Sequence, residues 1–218
     1  MSVGASLSSA VRDFYQQSWR LLVLNAALST FVLAVVGIGL WFAPALALLV
    51  LVGPFAAGLM HCAVTLTRTD ELRLRDAATG VKLHWRRGLV LGLLVFVVVA
   101  AAGVAVPFYA AIGGWWWVLA LFALYVAAIF GVLQLVLWPL AIFELDRPLA
   151  DVARDSLARF LRRPLAGTAL AFVLLTINLL GLAAALIPFL TLTVAYSFLA
   201  AARFALPREP GGTAAWPA

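Results

Sequence analysis

Charge is scarce in this sequence: Asp, Glu, Lys and Arg make up 11% of its 218 residues, where a soluble domain carries about 25%. Hydrophobic residues reach 66%, and the mean hydropathy is +1.10. A folded chain of this length keeps a large surface that water must wet, so one core could not hide such an excess. The shortage of charge therefore excludes an ordinary soluble globule. Cysteine occurs once, at Cys62, which excludes an internal disulfide and any CxxC metal or redox site. There is no Gly-rich phosphate loop, so the chain cannot supply its own ATPase. HExxH, a GxSxG elbow and a carboxylate pair within an apolar run are all missing. The expectation is a non-enzymatic protein with no cofactor and no metal site. Acidic and basic residues are absent deep in the apolar runs, and Glu144 already stands at the edge of one, which disfavours proton- or sodium-coupled transport. The net charge of +6 would suit nucleic acid, but the basic residues fall in short loops between apolar runs, a juxtamembrane pattern. No nucleic-acid partner is expected. Asp13, Gln16, Gln17 and Arg20 argue against reading the N-terminus as a signal peptide.

What the chain does have is long apolar runs. Residues 1–20 read as an interfacial segment, with an amphipathic helix over 5–20 that collects Leu7, Val11, Phe14, Tyr15 and Trp19 on one face. Six spans follow, at about 21–43, 45–67, 89–112, 115–143, 165–187 and 189–206, each near the ~20 residues that cross a ~30 Å hydrocarbon core. Pro44, Gly113-Gly114 and Pro188 separate neighbours, and Gly53-Pro54 predicts a kink in the second span. Trp115-Trp116-Trp117 and Trp138 bracket roughly 34 Å of helix, the separation of two aromatic belts, which favours one tilted helix there. A short polar, Pro/Gly-rich tail occupies 207–218. The charged residues lie before the first span, between spans two and three, between four and five, and near the C-terminus (Arg203, Arg208, Glu209). Six spans put them all on one side, and the positive-inside rule makes that side, with both termini, cytoplasmic. The expected fold class is thus an all-α six-helix membrane bundle, multi-pass in the cell membrane, with the lipid bilayer as its first partner; a homo-oligomer is compatible with it.

The two charged loops resemble each other. Residues 68–88 read RTDELRLRDAATGVKLHWRRG and residues 144–164 read ELDRPLADVARDSLARFLRRP. Leu74-Arg75-Asp76-Ala77-Ala78 aligns with Leu149-Ala150-Asp151-Val152-Ala153, and the loops end in Arg86-Arg87-Gly88 and Arg162-Arg163-Pro164. This hints at an internal duplication of a span, an amphipathic cytoplasmic helix and a span. In the second loop Leu149, Val152, Ala153, Leu157, Phe160 and Leu161 form an apolar stripe, opposite Asp151, Arg154, Asp155, Arg159 and Arg162. Leu74, Ala77, Ala78, Val81 and Trp85 form a weaker stripe in the first. Asp155 and Arg159 have the spacing of a helical ion pair, and Asp146 ahead of Pro148 predicts a helix start. Three uses of these loop helices compete. They dock a cytoplasmic partner, they bind anionic lipid through Arg86, Arg87, Arg154, Arg159, Arg162 and Arg163, or they lie flat and fix topology.

Polar residues inside the spans face protein or water rather than lipid. Asn25, Ser29, His61, Gln134 and Asn178 are the main candidates, joined by Thr30, Thr176, Tyr196 and Ser197. Converging, they would line a solute path; dispersed, they make hydrogen bonds between helices.

The stretch GPFAAGLMHCAVTLTRTDELRLRDAATGVKLHWRRGLVLGLL (53–94) resembles the YesL-like family of bacterial membrane proteins, and LQLVLWPLAIFELDRPLADVARDSLARFLRRPLAGTAL (133–170) looks like that family's second half. The family has no assigned activity and no agreed catalytic residues. Its members are commonly encoded near sugar ABC-transporter components, so the resemblance implies an accessory protein that contacts an ABC permease or ATPase subunit through the loop helices. The alternative is a small-solute transporter or channel acting on its own.

Overall fold

A computed structural model describes residues 3–16, 18–69, 72–183 and 192–206. All regular structure among them is helical. The order is α1 (Val3–Gln16), α2 (Ser18–Trp41), a 3-10 helix (Ala43–Leu51), α3 (Val52–Thr69), α4 (Leu74–Ile112), a 3-10 turn (Gly114–Trp116), α5 (Trp117–Phe143), α6 (Leu149–Arg162), α7 (Pro164–Ala183) and α8 (Val194–Ala205). Among the described residues five helical stretches are long and apolar enough to cross a membrane: Trp19–Trp41, Ala43–Thr69, Arg75–Ile112, Gly114–Phe143 and Pro164–Gly181. Val194–Ala205 is apolar but shorter. The expected break near Pro188 and the tail 207–218 lie outside the described residues, as do the Phe14 and Tyr15 side chains of the first stripe.

The second crossing is not uniform. It begins as a 3-10 helix and becomes α-helical at Val52. Pro54 has no N–H to give the Val50 carbonyl four residues back, so the ladder cannot continue unbroken through this point. The expected Gly53-Pro54 kink is therefore a change of helix type.

Helix α4 has 39 residues, about 58 Å at ~1.5 Å per residue, roughly twice what the hydrocarbon core requires. The first loop helix is thus not a separate element but the beginning of α4, and the span expected at 89–112 is the remainder of the same rod. The start is capped: the Arg73 amide donates to the Asp76 carboxylate at 2.7 Å, the back-reaching half of a capping box. The second loop behaves differently because Pro164 stands where the first has Gly88. Proline disfavours α geometry in the residue before it, and Arg163 sits at φ −144°, ψ 58°. Helix α6 ends there and α7 starts afresh. At the other end of α6, Pro148 flanks the first turn with no side-chain cap, so Asp146 does not play the capping part that its position suggested.

Helix α3 is the centre of the bundle. Ala56, Ala57, Met60, Cys62, Ala63 and Val64 are all buried, and the core continues through Leu140, Ala141 and Ile142 of α5 and Leu199, Ala200 and Ala202 of α8. Glycines set the α3–α4 distance. A Cβ at Gly88 would lie 2.8 Å from Pro54 Cα, and one at Gly92 would lie 2.7 Å from Gly53 Cα. These are backbone contacts, which no rotamer change can relieve, and small residues are what let membrane helices approach so closely. Small residues bury α1 too: Ser6 and Ala10 are buried while Val11 and Trp19 are exposed, and the Tyr196 hydroxyl of α8 donates to the Leu7 carbonyl at 3.3 Å.

Large apolar side chains cover the outer faces of α4 and α5: Val97, Val104, Phe108, Leu121, Phe122 and Tyr125 are all exposed. In water this surface would be unfavourable at about 25 cal/mol per Å²; in a bilayer it is not. Gly113 and Gly114, at φ +76° and +58°, make the tight turn between these helices, a conformation that glycine adopts without a Cβ penalty. Trp115 and Trp117 beside it are exposed, as a belt requires. Trp138 is not. It is buried and meets the Phe198 ring edge-on, centroids 6.5 Å apart. The fourth span is one helix, as expected, but Trp138 faces α8 rather than the interface and does not mark a second belt.

Candidate functional site

Arginines bind one end of the bundle together. Arg20 at the start of α2 donates to the Leu72 carbonyl before α4. Arg68 near the end of α3 lies over the Phe143 ring of α5 at 4.4 Å. Arg87 donates to the carbonyls of Ala141 (2.7 Å), Glu144 (2.9 Å), Leu145 (2.5 Å) and Arg147. The last carbonyls of a helix have no partners within it, and the planar guanidinium, with five donors in a fixed fork, can gather several at once. Arg87 is therefore the C-terminal cap of α5. Arg147 pairs with both Glu144 and Asp155, each at 2.7 Å, and these hydrogen bonds, Asp155 first, hold its guanidinium above the usual arginine pKa. Arg159 reaches the Ala205 carbonyl at 3.4 Å and Glu144 at 3.8 Å. The spacing-based Asp155–Arg159 pair is thus replaced by Asp155–Arg147 and Arg159–Glu144, because the turn after α5 presents partners that helical spacing cannot foresee.

The six arginines singled out by sequence therefore divide. Arg87 and Arg159 hold helix ends. Arg86 is exposed, over its neighbour Trp85 at 5.4 Å. Arg154, 82% exposed in its side chain, lies 3.7 Å from Asp151. Arg162 and Arg163 are exposed and have no ion-pair partner among the described residues. On the same helix and just beyond it Leu157, Leu161 and Leu165 are exposed, Leu161 by 64% and Leu165 by 85%, while Val152 and Ser156 are buried. The expected apolar stripe of α6 is split: Val152 faces the bundle and the outer leucines face outward beside the free arginines.

The intramembrane polar residues do not converge. Asn25 and Ser29 share a buried face of α2. Asn178 Nδ2 on α7 donates to Ser197 Oγ on α8 at 2.7 Å, and Ser197 donates to the Thr193 carbonyl at 2.7 Å. Thr176 bonds its own helix at Phe172. His61 on α3 meets His84 on α4, Nδ1 to Nε2 at 3.2 Å, both buried, with Gly80 leaving room for the His61 ring. His84 was legible only as a loop residue; its pairing follows from the antiparallel packing of α3 on α4. Among the described residues no group of three or more His, Cys, Asp or Glu side chains could hold a metal.

Gln134 stands elsewhere, in the wall of a cavity of about 630 Å³. Residues from the second crossing, α2, α4, α5 and α8 line it, among them Val32, Met60, Phe96, Trp138 and Phe198. Apart from Gln134, the already bonded Ser197 and the indole N–H of Trp138 the wall is apolar. Both side-chain polar atoms of Gln134 are buried and have no hydrogen-bond partner among the described residues, a cost of about 1–3 kcal/mol for each such group. The volume is within the ~300–1,000 Å³ of small-molecule sites. Sequence pattern cannot reveal a void, which depends on the shapes of five helices meeting; the one available signal was an amide in the apolar run of residues 132–137.

Compared with known proteins, the chain matches no protein-family model, no curated protein and no solved structure.

Proposed function

We propose that the chain is a non-enzymatic accessory protein of the cell membrane, crossing it six times with both ends in the cytoplasm, and that the outer face of α6 is its docking surface. The observation that carries this reading is the division of the arginines. Arg87, Arg147 and Arg159 are engaged in holding the fold, whereas Arg162 and Arg163 stand free beside an exposed ridge of Leu157, Leu161 and Leu165. An apolar ridge rimmed by charge is the usual anatomy of a contact surface. The resemblance of residues 53–94 and 133–170 to YesL-like proteins favours an ABC permease or ATPase subunit as the partner.

The same ridge favours a second reading, in which the leucines enter the acyl boundary and the arginines meet anionic headgroups at about 1 kcal/mol each. A self-sufficient channel or transporter for polar solutes gains less support, because Asn25, Ser29, His61 and Asn178 stand apart from the cavity and its wall is apolar.

The test is purification from the native membrane in mild detergent, comparing wild type with the triple variant Arg154→Glu, Arg162→Glu, Arg163→Glu. Arg159 is left intact because it holds the end of α8. A stoichiometric partner present with wild type and lost from the triple variant, at unchanged melting temperature, is the expected result. A partner retained by the variant refutes the α6 surface. Loss of anionic lipid alone, with no protein partner in either preparation, replaces the accessory reading with the lipid one.

A further inference from the structure

We infer that the outward face of α4 holds an anionic phospholipid by its headgroup, through Lys82 and Arg86, at the charged end of the bundle. This face lies opposite the stripe of Gly80, His84, Gly88 and Gly92 that packs on α3. Arg75, Lys82 and Arg86 are exposed on it. Val90, Leu93, Val97 and Val104 follow, also exposed, at steps that return to the same side of a helix. The face thus turns from basic to apolar between Arg86 and Val90. Two observations place that change at the edge of the hydrocarbon. From Val90 to Ile112, where α4 ends at the glycine turn, is about 33 Å at ~1.5 Å per residue, close to the ~30 Å of a bilayer core. Trp85, exposed beside Arg86, stands where an interfacial tryptophan belongs. A face that meets acyl chains at Val90 meets headgroups one turn further out, so lipid is the molecule at the level of Arg86.

Charge chooses the headgroup. Neither Lys82 nor Arg86 has an ion-pair partner among the described residues, and Asp76, the acid at the start of the helix, accepts the Arg73 amide instead. Arg86 lies over the Trp85 ring at 5.4 Å, which leaves the N–H edge of its guanidinium to donate to a phosphate. A zwitterionic headgroup would bring its own cation against these two; an anionic one brings none. Level separates the basic residues. Arg86, about 6 Å beyond Val90, falls within a headgroup layer of roughly 5–8 Å. Lys82, one turn further out, reaches the same phosphate with its flexible four-carbon stem. Arg75, some 10 Å beyond Lys82, stands past the layer on the same face. Arg87 takes no part, since its guanidinium is spent on the end of α5.

The experiment uses the full chain in phosphatidylcholine nanodiscs with a trace of phosphatidylglycerol, or of phosphatidylcholine, bearing a diazirine in its acyl chain. Crosslinked positions are mapped by mass spectrometry. A headgroup held at Arg86 lays its acyl chains along Val90, Leu93 and Val97. Labelling there should favour the phosphatidylglycerol probe by about five- to thirtyfold, the factor that one or two near-surface charges supply. The exposed Leu121 and Phe122 of α5 should show no such preference. Lys82→Gln with Arg86→Gln should abolish it, and the charge-conserving Lys82→Arg with Arg86→Lys should keep it. Arg75→Gln removes the same charge from the same face but beyond a Debye length of ~8 Å, and should change the preference by less than about twofold. Melting temperatures in detergent show that each variant is folded. No preference in wild type, or one that survives the double glutamine variant, overturns the site. A preference lost equally on Arg75→Gln reports attraction by overall charge and overturns the headgroup clamp. Arg162 and Arg163 stay intact throughout, so the outcome does not depend on the α6 surface.

Discussion

Replacing Arg87 by alanine should damage this protein far more than replacing its neighbour Arg86. One guanidinium gathers the carbonyls of Ala141, Glu144, Leu145 and Arg147, tying α4 to the end of α5 and to the turn that leads into α6. A hydrogen bond to a charged group contributes about 1.5–3 kcal/mol where it is well shielded. The four here share one side chain and lie near water, which can satisfy part of what is lost. A net loss of about 2–4 kcal/mol follows. For a chain of this size that corresponds to a fall of roughly 5–15 °C in melting temperature, readable by size-exclusion fluorescence after heating in dodecyl maltoside. Arg86, exposed over Trp85, should change it by less than about 2 °C, in line with the ±0.5 kcal/mol of ordinary surface substitutions. Arg87→Lys should recover less than half of the loss, because an ammonium is a point donor and cannot fork. Equal losses at Arg86 and Arg87, or full recovery with lysine, would refute the capping argument.

Two further outcomes follow from the packing and from the charge distribution. Gly88→Val should cost at least about 3 kcal/mol, the scale of overpacking against backbone that cannot move, since its Cβ would sit 2.8 Å from Pro54 Cα; Gly103→Ala, with nothing within 4 Å, should be neutral or stabilising in the same melting assay. Cysteines introduced at Arg75, Arg162 and Trp115 in a Cys62→Ala background should react with a membrane-impermeant maleimide from opposite sides, Trp115, 79% exposed, from outside and the two arginine positions only after the membrane is opened. Labelling of positions 75 and 115 from the same side would defeat the six-span topology.

Hydropathy carried most of the fold because a bilayer demands the same thing of every crossing segment, a run of apolar residues with its backbone bonds satisfied internally. The runs around residues 21–43, 115–143 and 165–183 needed no tertiary information. What escaped the pattern depends on neighbours. Gly80, His84, Gly88 and Gly92 recur every four residues along α4, and that stripe is visible in the sequence. Its meaning required knowing that α3 lies against it, where Gly53 and His61 complete the fit. Arg87 and Arg163 occupy aligned positions in two similar loops, yet one caps a helix and the other stands free. The distinction comes from partners more than fifty residues away in sequence. Trp138 read as an interfacial anchor because tryptophan usually is one near a helix end; α8 covers it, and the membrane does not.

The contrast between Gly88 and Pro164 bears on how the two loops divide their labour. A helix that runs unbroken from Leu74 through Ile112 cannot move its charged first turns without moving its apolar part, and that part lines the cavity through Gly92, Val95 and Phe96. Helix α6 is free of that constraint. It is interrupted at both ends by proline and joined to the bundle through Val152, Ser156, the Arg147–Asp155 pair and the reach of Arg159 to Glu144 and Ala205. A partner bound on α6 would therefore act on the bundle only through these side-chain contacts, whereas a force applied to the start of α4 would be carried along a continuous helix to the cavity wall. Of the two charged loops, the second is thus joined to the bundle through side chains while the first is continuous with it, and Arg87, which gathers the carbonyls at the end of α5, stands on the continuous one.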